Sequence, residues 1–273
     1  MKQRLISAFV GIILLVAVLF FLDTVLFNII MIIVSAMAIY ELLVATKFIN
    51  NIAVSILSFT FAILFPMLNY LDFLEINIIP AVMTVFVILL FVMMIIYFNK
   101  LRIEQIAFVY LIATTVPFAF SSFVFIRDNN PDHALFLVFL TLGMAWIPDT
   151  GGYFAGRQFG KHKLAEHISP KKTVEGLIGS YVFNIIFVLV IGNIYTAAAT
   201  DITINYLYLV PISVFCTTFA VLGDLSASII KRQYLIKDFG NIMPGHGGVL
   251  DRFDSVLFVA PFMLMILRVL EVV

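Results

Sequence analysis

Acidic and basic side chains collect near the end of a very apolar chain, between residues 224 and 255. Asp224, Ser228 and Lys231 are spaced at i, i+4 and i+7, which places all three on one face of a predicted helix. Asp251 and Asp254 follow at i and i+3, on one face of the next predicted helix. We therefore expect the ends of two helices to direct carboxylates towards a shared cavity.

These residue types suit a site that binds a metal ion together with a phosphate. Proteins usually hold a hard cation such as Mg²⁺ through one or two carboxylates plus substrate phosphates. The basic side chains of the same stretch suit phosphate oxygens, and they are Lys231, Arg232, Lys237 and Arg252. Gly247 and Gly248 add a turn whose backbone N–H groups can approach a phosphate closely. His246, in the same turn, either donates to a phosphate or leaving group or fixes the loop by a hydrogen bond.

A second polar cluster lies upstream, from Pro148 to Gly176. Asp149 stands at the inner end of a predicted apolar helix, and a carboxylate at membrane depth is costly unless it is paired, so it is a functional candidate. Lys171 and Lys172 come just before a helix predicted to begin near Thr173, where free N–H groups and ammonium charges together favour anions. The alternative, that these lysines only set the membrane topology, stays open.

Two further expectations concern local structure. The glycines that follow Asp149 are expected to loosen the backbone beyond the sixth apolar segment, and they are Gly151, Gly152, Gly156 and Gly160. Glu41, near the cytoplasmic end of the second apolar segment, is interpreted as an ion-pair or interfacial residue.

The composition predicts an all-α, polytopic integral membrane protein. Of the 273 residues 63% are hydrophobic and 12% are charged, whereas a soluble domain has about 25% charged residues. A span needs about 20 mostly apolar residues. Nine segments qualify, near residues 5–22, 24–46, 52–71, 78–98, 106–126, 134–154, 174–195, 206–230 and 253–270.

The charges are distributed unevenly over the predicted loops, although the formal net charge is zero. With a cytoplasmic N-terminus, nearly all basic loop residues fall inside and the opposite loops are mainly acidic, as the positive-inside rule requires. This orientation places the C-terminus outside and both polar clusters at the cytoplasmic face. We expect residues 1–130 to be a scaffold of transmembrane helices and residues 131–273 to carry the catalytic site.

The C-terminal half resembles the phosphatidate cytidylyltransferase, or CDP-diacylglycerol synthase, family. The residues that carry the resemblance are Ser228, Lys231-Arg232, Lys237-Asp238, Gly240, Pro244, His246-Gly247-Gly248 and Asp251-Arg252-Phe253-Asp254, together with the upstream Asp149, Gly152-Tyr153, Gly156, "SPKKT" and Glu175-Gly176. Met243 and Ser180 depart from the family pattern, and neither departure removes a charged group.

The resemblance implies a Mg²⁺-dependent enzyme of phospholipid biosynthesis, with one or two metal ions, which joins CTP and phosphatidic acid into CDP-diacylglycerol and pyrophosphate. It also implies a homodimer in the cell (inner) membrane, with the active site facing the cytoplasm and no nucleic-acid partner. The metal-binding aspartates of the family map onto Asp224 and Asp251, and Asp149 is a further candidate ligand because of its position. We expect Asp224, Asp251, Lys231 and His246 to be the catalytic residues. The residues expected to bind substrate are Ser169, Lys171, Lys172, Thr173, Ser228, Arg232, Lys237, Gly247, Gly248, Arg252 and Asp254.

Two other functions stay open. The protein could be a related CTP-dependent transferase that acts on a different lipid acceptor, because no sequence feature identifies the acceptor. An ion-coupled transporter also uses intramembrane carboxylates and interrupted helices, but it predicts broken segments in two repeated halves and polar groups near the bilayer midplane. Here the polar groups gather at one face and in one half of the chain.

Overall fold

A computed structural model describes residues 2–67, 78–198, 202–242 and 247–273. Its helices are α1 (Lys2–Phe20), α2 (Val25–Ala45), α3 (Ile52–Leu64), α4 (Ile78–Ile96), α5 (Ile103–Asn129), α6 (Ala134–Phe159), α7 (Val174–Ala198), α8 (Tyr206–Gln233), α9 (Leu250–Phe253) and α10 (Val256–Leu267). Two short antiparallel strands, β1 (Lys163–Ala165) and β2 (Ser169–Thr173), form a hairpin between α6 and α7.

Within these described ranges, five helices are long and apolar enough to cross a membrane, namely α2, α5, α6, α7 and α8. Three shorter apolar helical stretches correspond to α3 with the residues after it (Ile52–Met67), to most of α4 (Pro80–Ile96) and to α10 (Val256–Leu267). The prediction of an all-α, polytopic membrane protein is therefore confirmed, with the small hairpin as an addition. The number of nine spans and the sides of the two termini stay predictions, and the end of the third predicted span lies outside the described residues.

The chain forms two compact units. Unit 1 contains Met1–Val124 and Asp238–Asp251, and unit 2 contains Phe125–Lys237 and Arg252–Val273. The segment Asp238–Asp251 therefore belongs to the same unit as the first helices of the chain. The functional division near residue 130, into a scaffold and a catalytic half, stays a prediction.

One hydrophobic cluster in the core of unit 1 is built from apolar side chains of α3, α4 and α5. Val54, Ser58 and Phe61 of α3 are spaced at i, i+4 and i+7 and are all buried, so they form one continuous stripe. Phe61 stacks on Phe86 of α4 with ring centroids 4.2 Å apart, and Val109 of α5 belongs to the same buried cluster. Stacked aromatic rings thus form part of the contact between α3 and α4.

In unit 2, helices α6 and α7 approach each other closely through small residues. A Cβ atom on Gly151 would lie 2.8 Å from the carbonyl oxygen of Gly179, and one on Gly176 would lie 2.8 Å from the carbonyl oxygen of Gly152. Small residues let two helix backbones pack at this distance, which is the usual way to join helices in a membrane. The glycines therefore determine how closely α6 packs against α7.

The expectation that the glycines after Asp149 loosen the backbone is wrong. Helix α6 continues without interruption to Phe159, five residues beyond the predicted end of the sixth span at residue 154, and ends at Gly160. Glycine weakens an exposed helix, but here Gly151, Gly152 and Gly156 face α7 and its start, where only a small residue fits.

Polar side chains join α7 to α8. The buried side-chain amide of Asn184 donates to the Ser213 carbonyl oxygen at 3.1 Å and to the Thr217 hydroxyl at 2.8 Å. The hydroxyl groups of Tyr181 and Thr218 lie 2.9 Å apart one turn along. These hydrogen bonds set the register of α8, the helix that carries Asp224, against α7.

Replacing Gly179 by alanine tests the close packing. The new Cβ would overlap the Ala155 side chain and lie 3.0 Å from the Gly151 carbonyl oxygen. We expect Gly179→Ala to destabilise the protein by about 1–3 kcal/mol, as overpacking of a close-packed contact does. The measurement is thermal unfolding in detergent, followed by size-exclusion chromatography of heated samples.

Gly11→Ala is the matched control, because a Cβ at Gly11 meets nothing within 4 Å. Alanine is also the better helix former, so this variant should be neutral or slightly more stable. Equal behaviour of the two variants would contradict the packing role of Gly179.

Candidate active site

Lys172 lies between two carboxylates in unit 2. Its ammonium group forms an ion pair with Asp224 Oδ2 and lies 3.8 Å from Asp149 Oδ1. The side chains of Lys172 and Asp224 are 23% and 21% exposed, whereas that of Asp149 is 49% exposed. Helix α6, strand β2 and helix α8 thus each contribute one charged side chain to a common cluster.

Asp254 adds a third carboxylate to the cluster around Lys172. It is 5% exposed, and it lies within electrostatic range of Asp149, Asp224 and Lys231. Its Oδ1 accepts the N–H of Ser255 at 2.7 Å. Gly223 makes this approach possible, because a Cβ there would lie only 2.6 Å from the Asp254 carbonyl oxygen. The sequence prediction that Asp254 belongs with Asp224 therefore agrees with the geometry of unit 2.

Trp146, the only tryptophan of the chain, holds the segment that leads to Asp254. Its indole N–H donates to the Arg252 carbonyl oxygen at 3.0 Å, and its ring lies 5.7 Å from that of Phe253. The Arg252 side chain itself is exposed. This anchoring ties the start of the last helix to α6, which carries Asp149.

The hairpin presents Lys172 because two side chains fix its junction with α7. Thr173 Oγ1 accepts the N–H of Gly176 at 3.1 Å and caps the helix, so the predicted helix start near Thr173 is confirmed. The Glu175 carboxylate accepts the N–H groups of Lys161 and His162 at 3.0 and 3.2 Å, and it lies 2.7 Å from His162 Nδ1. Both ends of the hairpin are thereby fastened to the first turn of α7.

The other predicted residues of unit 2 line the same hairpin and the end of α8. Lys171 is exposed and Ser169 is partly buried on β2. Ser228 is 8% exposed on α8, and Arg232 Nε donates to the Ile168 carbonyl oxygen of the hairpin at 3.3 Å. Lys237 is exposed beyond the helix. Their roles towards a substrate stay predictions.

In unit 1, Asp251 organises the glycine-rich turn. Its Oδ2 accepts the N–H of Phe239 at 2.8 Å and that of Gly248 at 2.9 Å, and so joins the two ends of the segment. Gly247 has φ +88°, a left-handed conformation that glycine adopts readily. The N–H of Gly248 is thus donated inside the turn, and its contact with a phosphate stays a prediction. The catalytic candidate His246 lies outside the described residues.

Glu41 is a residue whose role the sequence interpretation missed. It is 2% exposed, and its carboxylate accepts the N–H groups of Val249 at 2.8 Å and Leu250 at 2.9 Å. The interpretation as an ion-pair or interfacial residue did not anticipate these two backbone hydrogen bonds, and it stays a prediction. The signal was a single glutamate inside an otherwise apolar helix, which is costly unless it has a specific partner.

The metal prediction can be compared with the donors present. Among the described residues, no group of three or more His, Cys, Asp or Glu side chains stands close enough to hold a metal ion. However, Asp149 and Asp224 lie around one ammonium group, so their carboxylates already share a cation. Hard oxygen donors of this kind fit Mg²⁺. Asp251 belongs to the other unit, so its participation beside Asp224 stays a prediction.

Replacing Lys172 by methionine tests the charge cluster. Methionine is unbranched and only one atom shorter than lysine, but it removes the cation that pairs with Asp224 and lies near Asp149. Breaking a buried ion pair typically costs 3–5 kcal/mol, and because this one is partly exposed we expect about 1–3 kcal/mol. Thermal unfolding in detergent measures the loss, and Asp224→Asn added to Lys172→Met should recover part of it.

Lys171→Met is the matched control, since it removes the same charge from the exposed neighbouring position. Surface charges of this kind contribute little to stability, so the control should unfold like the wild type. A Lys172→Met protein as stable as this control would contradict the ion-pair role.

Comparison with known proteins shows which family the chain is similar to. The model of the "Cytidylyltransferase family" matches residues 2–270. The phosphatidate cytidylyltransferase of Bacillus subtilis (strain 168) is 43% identical over 169 residues, which cover 62% of this chain and 61% of that protein. Those of Staphylococcus saprophyticus and Staphylococcus haemolyticus are 40% and 38% identical, over 52% and 60% of both chains respectively.

The matched part therefore spans only about half to three-fifths of the length of these curated relatives. The family model, in contrast, extends over nearly the whole sequence. On that evidence this chain belongs to the cytidylyltransferase family.

Proposed function

We propose that this protein is a phosphatidate cytidylyltransferase, which converts CTP and phosphatidic acid into CDP-diacylglycerol and pyrophosphate. The observation that carries the proposal is the cluster of Lys172 with Asp149, Asp224 and Asp254, placed in a chain of the cytidylyltransferase family. Relatives that share up to 43% of their residues with it over the matched part are named for this activity.

In the proposed reaction, a phosphate oxygen of phosphatidic acid attacks the α-phosphorus of CTP. A new P–O bond forms, the bond to the β-phosphate bridging oxygen breaks, and pyrophosphate leaves with that bonding electron pair. The attacking oxygen is already ionised near neutral pH, so the reaction needs no strong general base. The main barrier is the approach of two polyanions and the charge that develops on the leaving group.

The basic residues of the chain would neutralise this negative charge. Lys172 is held at the carboxylate cluster, where its ammonium group would contact phosphate oxygens and orient the nucleotide. Other cations of the hairpin and of the end of α8 would bind the remaining phosphate charge, and they are Lys171, Lys231, Arg232, Lys237 and Arg252. Ser169, Thr173 and Ser228 would add hydroxyl donors.

A divalent cation, expected to be Mg²⁺, would be held by Asp224 and Asp251, with Asp149 as a further ligand, and would neutralise charge on the phosphate oxygens. Asp224 and Asp149 are close enough to one ammonium group to share a cation, which supports this choice of donors. Asp254 would keep the neighbouring basic side chains in place by its charge.

A site at the cytoplasmic face of the inner membrane would suit two substrates that arrive from different phases. The lipid phosphate would enter laterally from the inner leaflet, while CTP would arrive from the cytosol. The concentration of basic residues in the loops predicted to be inside supports this orientation. The homodimer implied by the family resemblance is part of the same proposal.

The proposed activity is tested by incubating the purified protein in detergent with α-labelled CTP, phosphatidic acid and Mg²⁺. The expected result is a chloroform-soluble labelled lipid that requires all three components. A product formed only with another lipid acceptor would favour the related transferase, and a protein that binds neither substrate would favour the transporter.

Replacing Asp224 by asparagine tests the proposed metal and phosphate chemistry. Asparagine keeps the shape but removes the charge that attracts the cation, so turnover should fall by roughly 100-fold or more. The labelled-lipid assay measures this loss, and size-exclusion chromatography checks that the variant is folded. Asp132→Asn, near the start of α6, is the control and should keep normal turnover. Normal turnover of Asp224→Asn would overturn the assignment.

A further inference from the structure

Both oxygens of the Glu41 carboxylate accept hydrogen bonds from a part of unit 1 that is distant in sequence. Oε1 accepts the N–H of Val249 and Oε2 accepts that of Leu250, across 208 and 209 positions of sequence. Both oxygens are therefore used on two successive peptide groups. Hydrogen bonds from backbone N–H groups to an ionised carboxylate are among the stronger ones in proteins, so they offset part of the cost of burying the charge.

Two glycines make room for this carboxylate. A Cβ atom on Gly248 would overlap both Glu41 carboxylate oxygens, and one on Gly240 would overlap Oε1. The two positions lie on opposite sides of the turn in sequence, so Glu41 fits between its two limbs. Glycine at positions 240 and 248 is therefore explained by the space that Glu41 needs. Backbone conformation does not explain it, because among the described glycines only Gly247 has a positive φ, at +88°.

Glu41 and Asp251 hold the same short piece of backbone. Three successive N–H groups, those of Gly248, Val249 and Leu250, donate to Asp251 Oδ2, Glu41 Oε1 and Glu41 Oε2 in turn. Asp251 also accepts from Phe239 on the other limb. The direction of the Asp251 carboxylate therefore depends on peptide planes that Glu41 fixes.

We propose that Glu41 is a positioning residue for cytidylyl transfer, which acts by fixing the backbone at 248–250 and thereby the Asp251 carboxylate. This inference rests on the proposed function, since it assigns Asp251 a role in binding the cation. Glu41 itself contacts neither substrate nor metal in this role.

Glu41→Gln is the direct test. Glutamine keeps the shape, but its amide nitrogen would face a backbone N–H, so one of the two hydrogen bonds is replaced by a repulsive contact. We expect kcat to fall and the Mg²⁺ concentration for half-maximal activity to rise, each by about tenfold or more, as when an outer residue that orients a metal ligand is lost. The KM for phosphatidic acid should stay close to the wild-type value.

The shift in Mg²⁺ dependence distinguishes positioning from simple loss of stability. A variant that is merely less folded would lose kcat in proportion to the folded fraction and keep its Mg²⁺ dependence. Ser35→Ala is the matched control, because Ser35 is a polar residue of the same helix with 0% exposure. This control should leave both parameters unchanged.

A double-mutant cycle with Gly240 tests the contact without relying on activity. Gly240→Ala should destabilise the protein, because the new Cβ overlaps the Glu41 carboxylate. In the Glu41→Ala background the same change should cost much less, so the two effects should be strongly non-additive in thermal unfolding. Additive effects would overturn the proposed fit of Glu41 between the glycines.

The outcomes separate the inference from the proposed function. A wild-type protein that makes no labelled lipid would overturn the proposed function itself. An active wild type with a Glu41→Gln variant of unchanged kcat and unchanged Mg²⁺ dependence would overturn the positioning role and leave the function intact. An active wild type with a shifted Mg²⁺ dependence in Glu41→Gln alone is the expected result.

Discussion

Burial of carboxylates in an apolar protein is the constraint on which the described sites depend. An ionised carboxylate removed from water is costly unless a cation or several hydrogen-bond donors replace its hydration. Asp224 has the ammonium group of Lys172, and Glu41 has two backbone N–H groups. Asp251 also takes two backbone N–H groups. Each acidic side chain therefore fixes the segment that supplies its partner.

The same constraint accounts for the attachment of the hairpin to the rest of unit 2. Lys172 can reach Asp224 because Thr173 and Glu175 fasten the hairpin to α7. Helix α7 is in turn placed against α6 by glycines that allow their backbones to approach. The position of one ammonium group thus depends on the packing of two membrane helices.

Much of the fold and part of the site could be predicted from local patterns. The apolar segments predict helices, because the backbone of a membrane-spanning segment must satisfy its hydrogen bonds within that segment. The start of α7 near Thr173 was predicted correctly, since a capping residue leaves a local signal. The glycines after Asp149 were misinterpreted, because the same residue type loosens a helix in water and joins two helices in a membrane.

By itself, the sequence determined that the chain crosses a membrane, which residues share a helix face, and where charged groups gather, because composition and periodicity act over a few turns. Only the tertiary structure decided which groups meet: Lys172 with Asp224, Trp146 with the Arg252 carbonyl oxygen, and Glu41 with Val249 and Leu250. The last contact joins residues 208 positions apart. No local pattern encodes such a pair, since the partner is a backbone N–H group that every residue except proline possesses.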